Sequence, residues 1–135
     1  MLDIPLHLLV VHFPIALAVI AVIYDTRGRL SGRPELHQTG YVLTLWSAAG
    51  AALALATGLQ LTGGHLEAPE SIAHAGLGLV GGIILIALAV LRYSAEARKT
   101  ELETYPVLWF VLEIAGAAAV VAAAVTGHRL EIEGR

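Results

Sequence analysis

Four histidines lie at matching ends of the apolar stretches in this chain. His12 sits inside the first stretch and His74 opens the third, while His65 and His128 follow the second and fourth. Neutral imidazole is a common ligand of haem iron, and it also binds zinc and other divalent ions. An ionisable side chain in a membrane-spanning stretch is costly unless something partners it, so it marks a functional-site candidate. His12 with His74 is the preferred ligand pair, because both lie within helices and are held by backbone geometry. His65 with His128 forms a second candidate pair from helix ends. His7 is a spare candidate; it stands five residues from His12, about 140° around a helix, so one centre does not take both. A bare divalent ion such as zinc is the alternative ligand, drawing on the same histidines with Glu67 and Glu70. Taken singly, each of these histidines also reads as an interfacial side chain that caps a helix or bonds a carbonyl. Cysteine is absent and the single methionine is Met1, which excludes disulfides, thiolate or thioether metal sites and thiol catalysis.

The elements that must position these side chains are membrane helices. Of 135 residues, 57% are apolar and only 14% charged, with a mean hydropathy of +0.76; a soluble domain carries about a quarter charged residues. Four apolar segments run about 6–24, 39–61, 72–91 and 105–125, each near the roughly 20 residues that cross a hydrocarbon core. The expected fold is an all-α membrane protein, an antiparallel four-transmembrane-helix bundle forming one domain over residues 1–135. In such a bundle the first and third helices are diagonal neighbours, as are the second and fourth. The net charge of −3 leaves no basic stripe for nucleic acid.

Basic residues set the expected orientation. Arg27, Arg29, Arg33, Arg92, Arg98 and Lys99 lie in or beside the first and third connections, against Arg129 and Arg135 in the tail. By the positive-inside rule both termini lie outside, periplasmic in a bacterial inner membrane.

Other polar positions have plainer readings. Pro14 frees the Val10 carbonyl and bends the first helix beside His12, which aims that ring inward. Glu113 is the only carboxylate within an apolar segment, and it is expected to meet Thr44, Ser47, Thr57 or Gln60 on the second helix, as an interhelical hydrogen bond or as a proton or quinone-headgroup contact. Asp25 and the arginines after it read as an interfacial stop, and His37 as a solvated loop residue. The glycine and alanine rows, Gly50-Ala54-Gly58 and Gly78-Gly82 among them, read as close helix packing or as room for a flat cofactor.

The run His7-Leu8-Leu9-Val10-Val11-His12-Phe13-Pro14-Ile15-Ala16-Leu17, with Asp25 closing the first helix, resembles the membrane family catalogued as domain of unknown function 2231. Thr57-Gly58, His74 and Arg92 carry the resemblance through the second and third helices. It departs from the family pattern at Leu8, at His65 and at the chain's end. The resemblance implies a four-helix bacterial membrane protein. Some members are joined to Rieske-type iron–sulfur domains, which implies electron transfer. His7, His12 and His74 are its motif positions.

These readings converge on an integral membrane protein with b-type haem near its outer face and His12 and His74 as axial ligands. Its role would be electron transfer or redox sensing rather than turnover catalysis, with quinone or a periplasmic redox protein as partner and homo-oligomerisation left open. The two rivals are a divalent-metal binding module and a cofactor-free structural subunit.

Overall fold

The computed structural model describes residues 6–62, 69–98 and 106–133. Four helices account for almost all of them: α1 Leu6–Ser31, α2 Pro34–Thr62, α3 Pro69–Ala97 and α4 Val107–Glu133. Each contains a stretch long and apolar enough to cross a membrane, within Val10–Ser31, Pro34–Gln60, Ser71–Ala97 and Val107–Arg129.

The helices outrun the apolar segments that announce them. A polar loop expected from Asp25 to Gln38 shrinks to Gly32 and Arg33. Gly32 takes a left-handed φ of +64°, and the Arg33 amide donates back to the Gly28 carbonyl at 3.1 Å. That is a Schellman closure, which glycine adopts without a Cβ penalty. Pro34 then opens α2, where a missing N–H costs nothing. The termini and the α2–α3 connection therefore share one end of the bundle, called here the terminal end. The α1–α2 and α3–α4 connections share the other, the loop end.

Contact is closest between α1 and α2 and between α3 and α4; the α2–α3 and α1–α4 seams are looser. The bundle is thus two helical hairpins laid together, with α1 diagonal to α3. Burial repeats between the hairpins. Pro14, Ala18, Ala21 and Asp25 of α1 recur at identical spacing as Gly81, Leu85, Leu88 and Arg92 of α3. Thr44, Ser47, Ala48 and Ala51 of α2 likewise recur as Glu113, Gly116, Ala117 and Val120 of α4. Where α1 offers alanine to the axis α3 offers leucine, so small and large side chains interdigitate.

The interior is small and polar and the exterior large and apolar. Ala18, Leu85, Ala117 and Val120 form the central cluster, whereas Asp25, Thr44, Ser47, Arg92 and Glu113 are all buried. Phe13, Trp46, Leu53, Leu59, Val90 and Val111 are more than half exposed. Water would penalise that outer surface and hydrocarbon rewards it. The glycine rows serve close packing: a Cβ on Gly50 would stand 3.1 Å from Pro14, and one on Gly82 2.9 Å from Leu55. On these faces the space is filled by protein, not left for a flat cofactor.

Candidate functional site

Polar side chains gather in two layers, one near each end of the bundle. Their placement follows from helix periodicity. His7 and Asp25 on α1 are eighteen residues apart, five whole turns, so both face the axis about 27 Å apart. His74 and Arg92 on α3 have the same spacing. Diagonal helices therefore meet twice, imidazole to imidazole at the terminal end and carboxylate to guanidinium near the loop end. The separation of the layers is close to the ~30 Å thickness of a hydrocarbon core.

At the terminal end the rings of His7 and His74 lie edge to face, 6.3 Å between centroids with planes at 90°. Each is anchored to the other helix of its own hairpin. His74 Nδ1 donates to the Ala123 carbonyl at 2.7 Å; a carbonyl only accepts, so the ring carries its proton there and Nε2 is the acceptor nitrogen. His7 Nδ1 lies 3.0 Å from Thr57 Oγ1. The Thr57 hydroxyl gives its own proton to the carbonyls of Leu53 and Ala54 at 3.0 and 3.1 Å. Its oxygen thus accepts from His7, and His7 takes the same tautomer. A glycine backs each ring: a Cβ on Gly58 would stand 3.0 Å from His7, and one on Gly127 2.7 Å from His74.

The structure does not bring His12 and His74 together; the histidine of α1 that meets His74 is His7. His12 lies on the exposed side of that helix. The buried stripe Pro14, Ala18, Ala21, Asp25 continues back through His7, and a residue five positions on points elsewhere. Pro14 therefore does not aim His12 inward; its carbonyl instead accepts a bond from the buried Ser47 hydroxyl at 2.8 Å. His128 is exposed and lies within α4, which continues to Glu133. His65, Glu67 and the side chain of Glu70 lie outside the described part of the structure. Among the described residues no three His, Cys, Asp or Glu side chains could share an ion.

Near the loop end all four helices converge on Arg92, which is 4% exposed. Its Nη1 donates to Asp25 Oδ2 at 2.7 Å, Thr44 Oγ1 at 3.1 Å and Glu113 Oε1 at 3.3 Å. Its Nη2 donates to the His37 carbonyl at 2.8 Å and to Asp25 Oδ1 at 3.4 Å. Nδ1 of His37 sits 2.7 Å from Asp25 Oδ1. The Thr44 hydroxyl donates between the Gly40 carbonyl, 2.9 Å away, and Glu113 Oε1, 3.1 Å away. Tyr41 presents its ring to the guanidinium at 5.8 Å.

Two plain readings give way here. Asp25 is no interfacial stop, since it is fully buried; a guanidinium from the diagonal helix makes that burial tolerable. His37 is no loop residue, since it lies in the first turn of α2 and bonds Asp25. Glu113 does meet Thr44, as expected, and it also meets an arginine that chain order gave no reason to place beside it. The matched eighteen-residue spacing was the available signal, together with the glycines opposite each polar ring or carboxylate.

The model for predicted membrane proteins of domain of unknown function 2231 matches residues 3–135. The chain belongs to that family. No curated protein and no solved structure matches it. Of the residues that carry the resemblance, His7, Asp25, Thr57, Gly58, His74 and Arg92 fall in the two interhelical layers, whereas His12 lies on the exposed side of α1.

His7 lies before the first spanning stretch, which opens at Val10. Burial pulls its imidazole below the ordinary 6.5, the neighbouring His74 acts in the same sense, and a bond to the Ala54 backbone opposes them. A lowered folded-state value means that the unfolded chain binds the proton more readily. The stabilising contribution is therefore complete above pH 6.5 and is lost as pH falls through the lower, folded value. Ligand-free protein is expected to resist heat less well at about pH 5.5 than at about pH 7.5, and His7→Gln to flatten that slope. Equal slopes in thermal melts of the two proteins would remove His7 as the cause.

Proposed function

We propose that the bundle carries b-type haem at its terminal end, with His7 and His74 as the axial ligands, and that it works in electron transfer or redox sensing. One observation carries the reading: two imidazoles on diagonal helices, each anchored through Nδ1, each left with Nε2 as the ligating nitrogen. Metal-binding histidines characteristically donate their other nitrogen to a carbonyl or similar acceptor, which fixes the ring and raises its basicity. The donor set fits this group better than a bare ion. Six-coordinate haem needs two protein ligands, while a tetrahedral zinc site takes three or four.

Haem supplies a one-electron couple when bound; the chain's own part is to hold and orient the ligands. Thr57 and the Ala123 carbonyl fix the tautomers, and Gly58 and Gly127 let the rings lie against the neighbouring helices. The arginines at the loop end favour, by the positive-inside rule, a cytoplasmic position for that end in a bacterial inner membrane. Haem at the opposite end would exchange electrons with quinone or a periplasmic redox protein.

The test is the visible spectrum of detergent-purified protein expressed with haem, oxidised and then reduced. Wild type and His12→Ala are expected to show a Soret band and split reduced bands, and His7→Ala and His74→Ala to lose them at unchanged helicity. A colourless wild type at full helicity would overturn the proposal. Bands lost in His12→Ala but kept in His7→Ala would move the site outward.

A further inference from the structure

The layer around Arg92 serves none of the roles just assigned, and its composition is unusual. Two carboxyl groups, Asp25 on α1 and Glu113 on α4, are fully buried. One guanidinium, Arg92 of α3, faces both, and both carboxyls accept from the same Nη1. One positive charge balances only one negative charge, and an unbalanced charge is expensive at this depth. The remaining groups are His37 and Tyr41 on α2, with Tyr93 and Glu96 of α3 facing Tyr41. His37 connects Asp25 to the rim. Its Nδ1 bonds Asp25, yet 20% of its side chain is exposed.

We propose that Asp25, Glu113 and His37 form a one-proton exchange site around Arg92, opening to the loop-end surface through His37. The cluster is neutral with the proton on Glu113 and His37 neutral, and equally neutral with Glu113 ionised and His37 protonated. Transfer between these states moves a proton from about 9 Å along α4 to the rim without changing the net charge. The path is continuous. A proton arriving at Nε2 of His37 releases the one on Nδ1 to Asp25, and the Asp25–Glu113 pair takes it up. On the reverse path Asp25 returns it to Nδ1, and Nε2 loses its proton to water. Ser47 is the next buried polar side chain toward the terminal end, and it is committed to the Pro14 carbonyl. Beyond it the axis is filled by Ala18, Leu85 and Val120. The site therefore loads and unloads from one side and is not part of a channel through the bundle. It stands independently of haem at the far end.

Infrared spectroscopy of the full chain in lipid nanodiscs tests this directly. At neutral pH the wild type is expected to show a protonated-carboxyl band that shifts with 13C-labelled glutamate and disappears in Glu113→Gln. Transfer into D2O should shift that band promptly, and His37→Phe should slow the shift at least tenfold at unchanged helicity. Absence of the band in wild type, or its survival in Glu113→Gln, would overturn the proposal. Exchange as fast in His37→Phe as in wild type would overturn the route through the histidine. Should the variants fail to fold, wild type alone decides: the labelled band must exchange within the mixing time, and exchange over hours would refute a site open to solvent.

Discussion

Arg92→Met is expected to destabilise the bundle by about 3–5 kcal/mol, the cost of removing one partner from a buried ion pair. The guanidinium makes five hydrogen bonds to three other helices. Without it Asp25 keeps a charge that lipid, protein and the remaining His37 bond cannot solvate. The α2–α3 seam loses its polar tie, and the guanidinium bridge from Asp25 of α1 to Glu113 of α4 goes with it. The reason for the cost also predicts its cure. Asp25→Asn in the Arg92→Met background removes the stranded charge and should recover more than half of the loss, since replacing both members of a buried pair is close to neutral. Glu113 can hold its own proton and bond Thr44. Unfolding in mixed micelles with increasing dodecyl sulfate, followed by helicity, measures all four corners of the cycle. A single-variant cost below about 1 kcal/mol would show that water reaches the cluster.

Gly40→Ala tests the same layer from the opposite side. A Cβ there would stand 2.5 Å from both carboxylate oxygens of Asp25 and 2.6 Å from its carboxyl carbon. The carboxylate is fixed by Arg92 and His37, so it cannot swing aside without loosening those bonds. Overpacking of this kind costs about 1–3 kcal/mol, and the upper end is expected because helix and charge cluster must shift together. Gly76→Ala is the control. Its Cβ would meet nothing within 4 Å on the lipid side of α3, and alanine should favour the helix there by up to about 1 kcal/mol. Opposite signs for two identical substitutions, read in the same unfolding assay, are the expected result. A neutral Gly40→Ala would mean that the Asp25 side chain is free to move.

The two variants bear on how the hairpins are joined. Within a hairpin, glycines seat side chains from the partner helix, as Gly58 does for His7 and Gly127 for His74. Between hairpins the apolar cluster is small, and lipid offers it little competition to exclude. Polar contacts at the two layers therefore carry more of the specificity than they would in water. Asp25 and Arg92 occupy equivalent positions in the two hairpins, as do Thr44 and Glu113. Opposite chemistry at equivalent positions pairs one hairpin with the other, and not with a copy of itself.

Much of this was legible in residue order. Hydropathy and length dictated four membrane helices, because backbone polar groups in hydrocarbon must be satisfied within the helix. The short connections dictated an antiparallel bundle with α1 diagonal to α3. The diagonal gave reason to look for facing histidines at the terminal end, and His74 does face α1 there. Which histidine of α1 faces His74 was decided by the rotation of that helix about its axis. That rotation is set by Asp25 reaching Arg92 five turns away, a contact between residues 67 positions apart. The same contact makes an apparent stop signal into a buried ion pair, within a helix that runs on to Ser31 and beside a His37 that lies in the first turn of α2. Sequence determines which side chains can enter a bilayer and at what depth. The packing of diagonal helices alone decides which charges meet there, because a buried charge is tolerated only where a partner arrives from elsewhere in the fold.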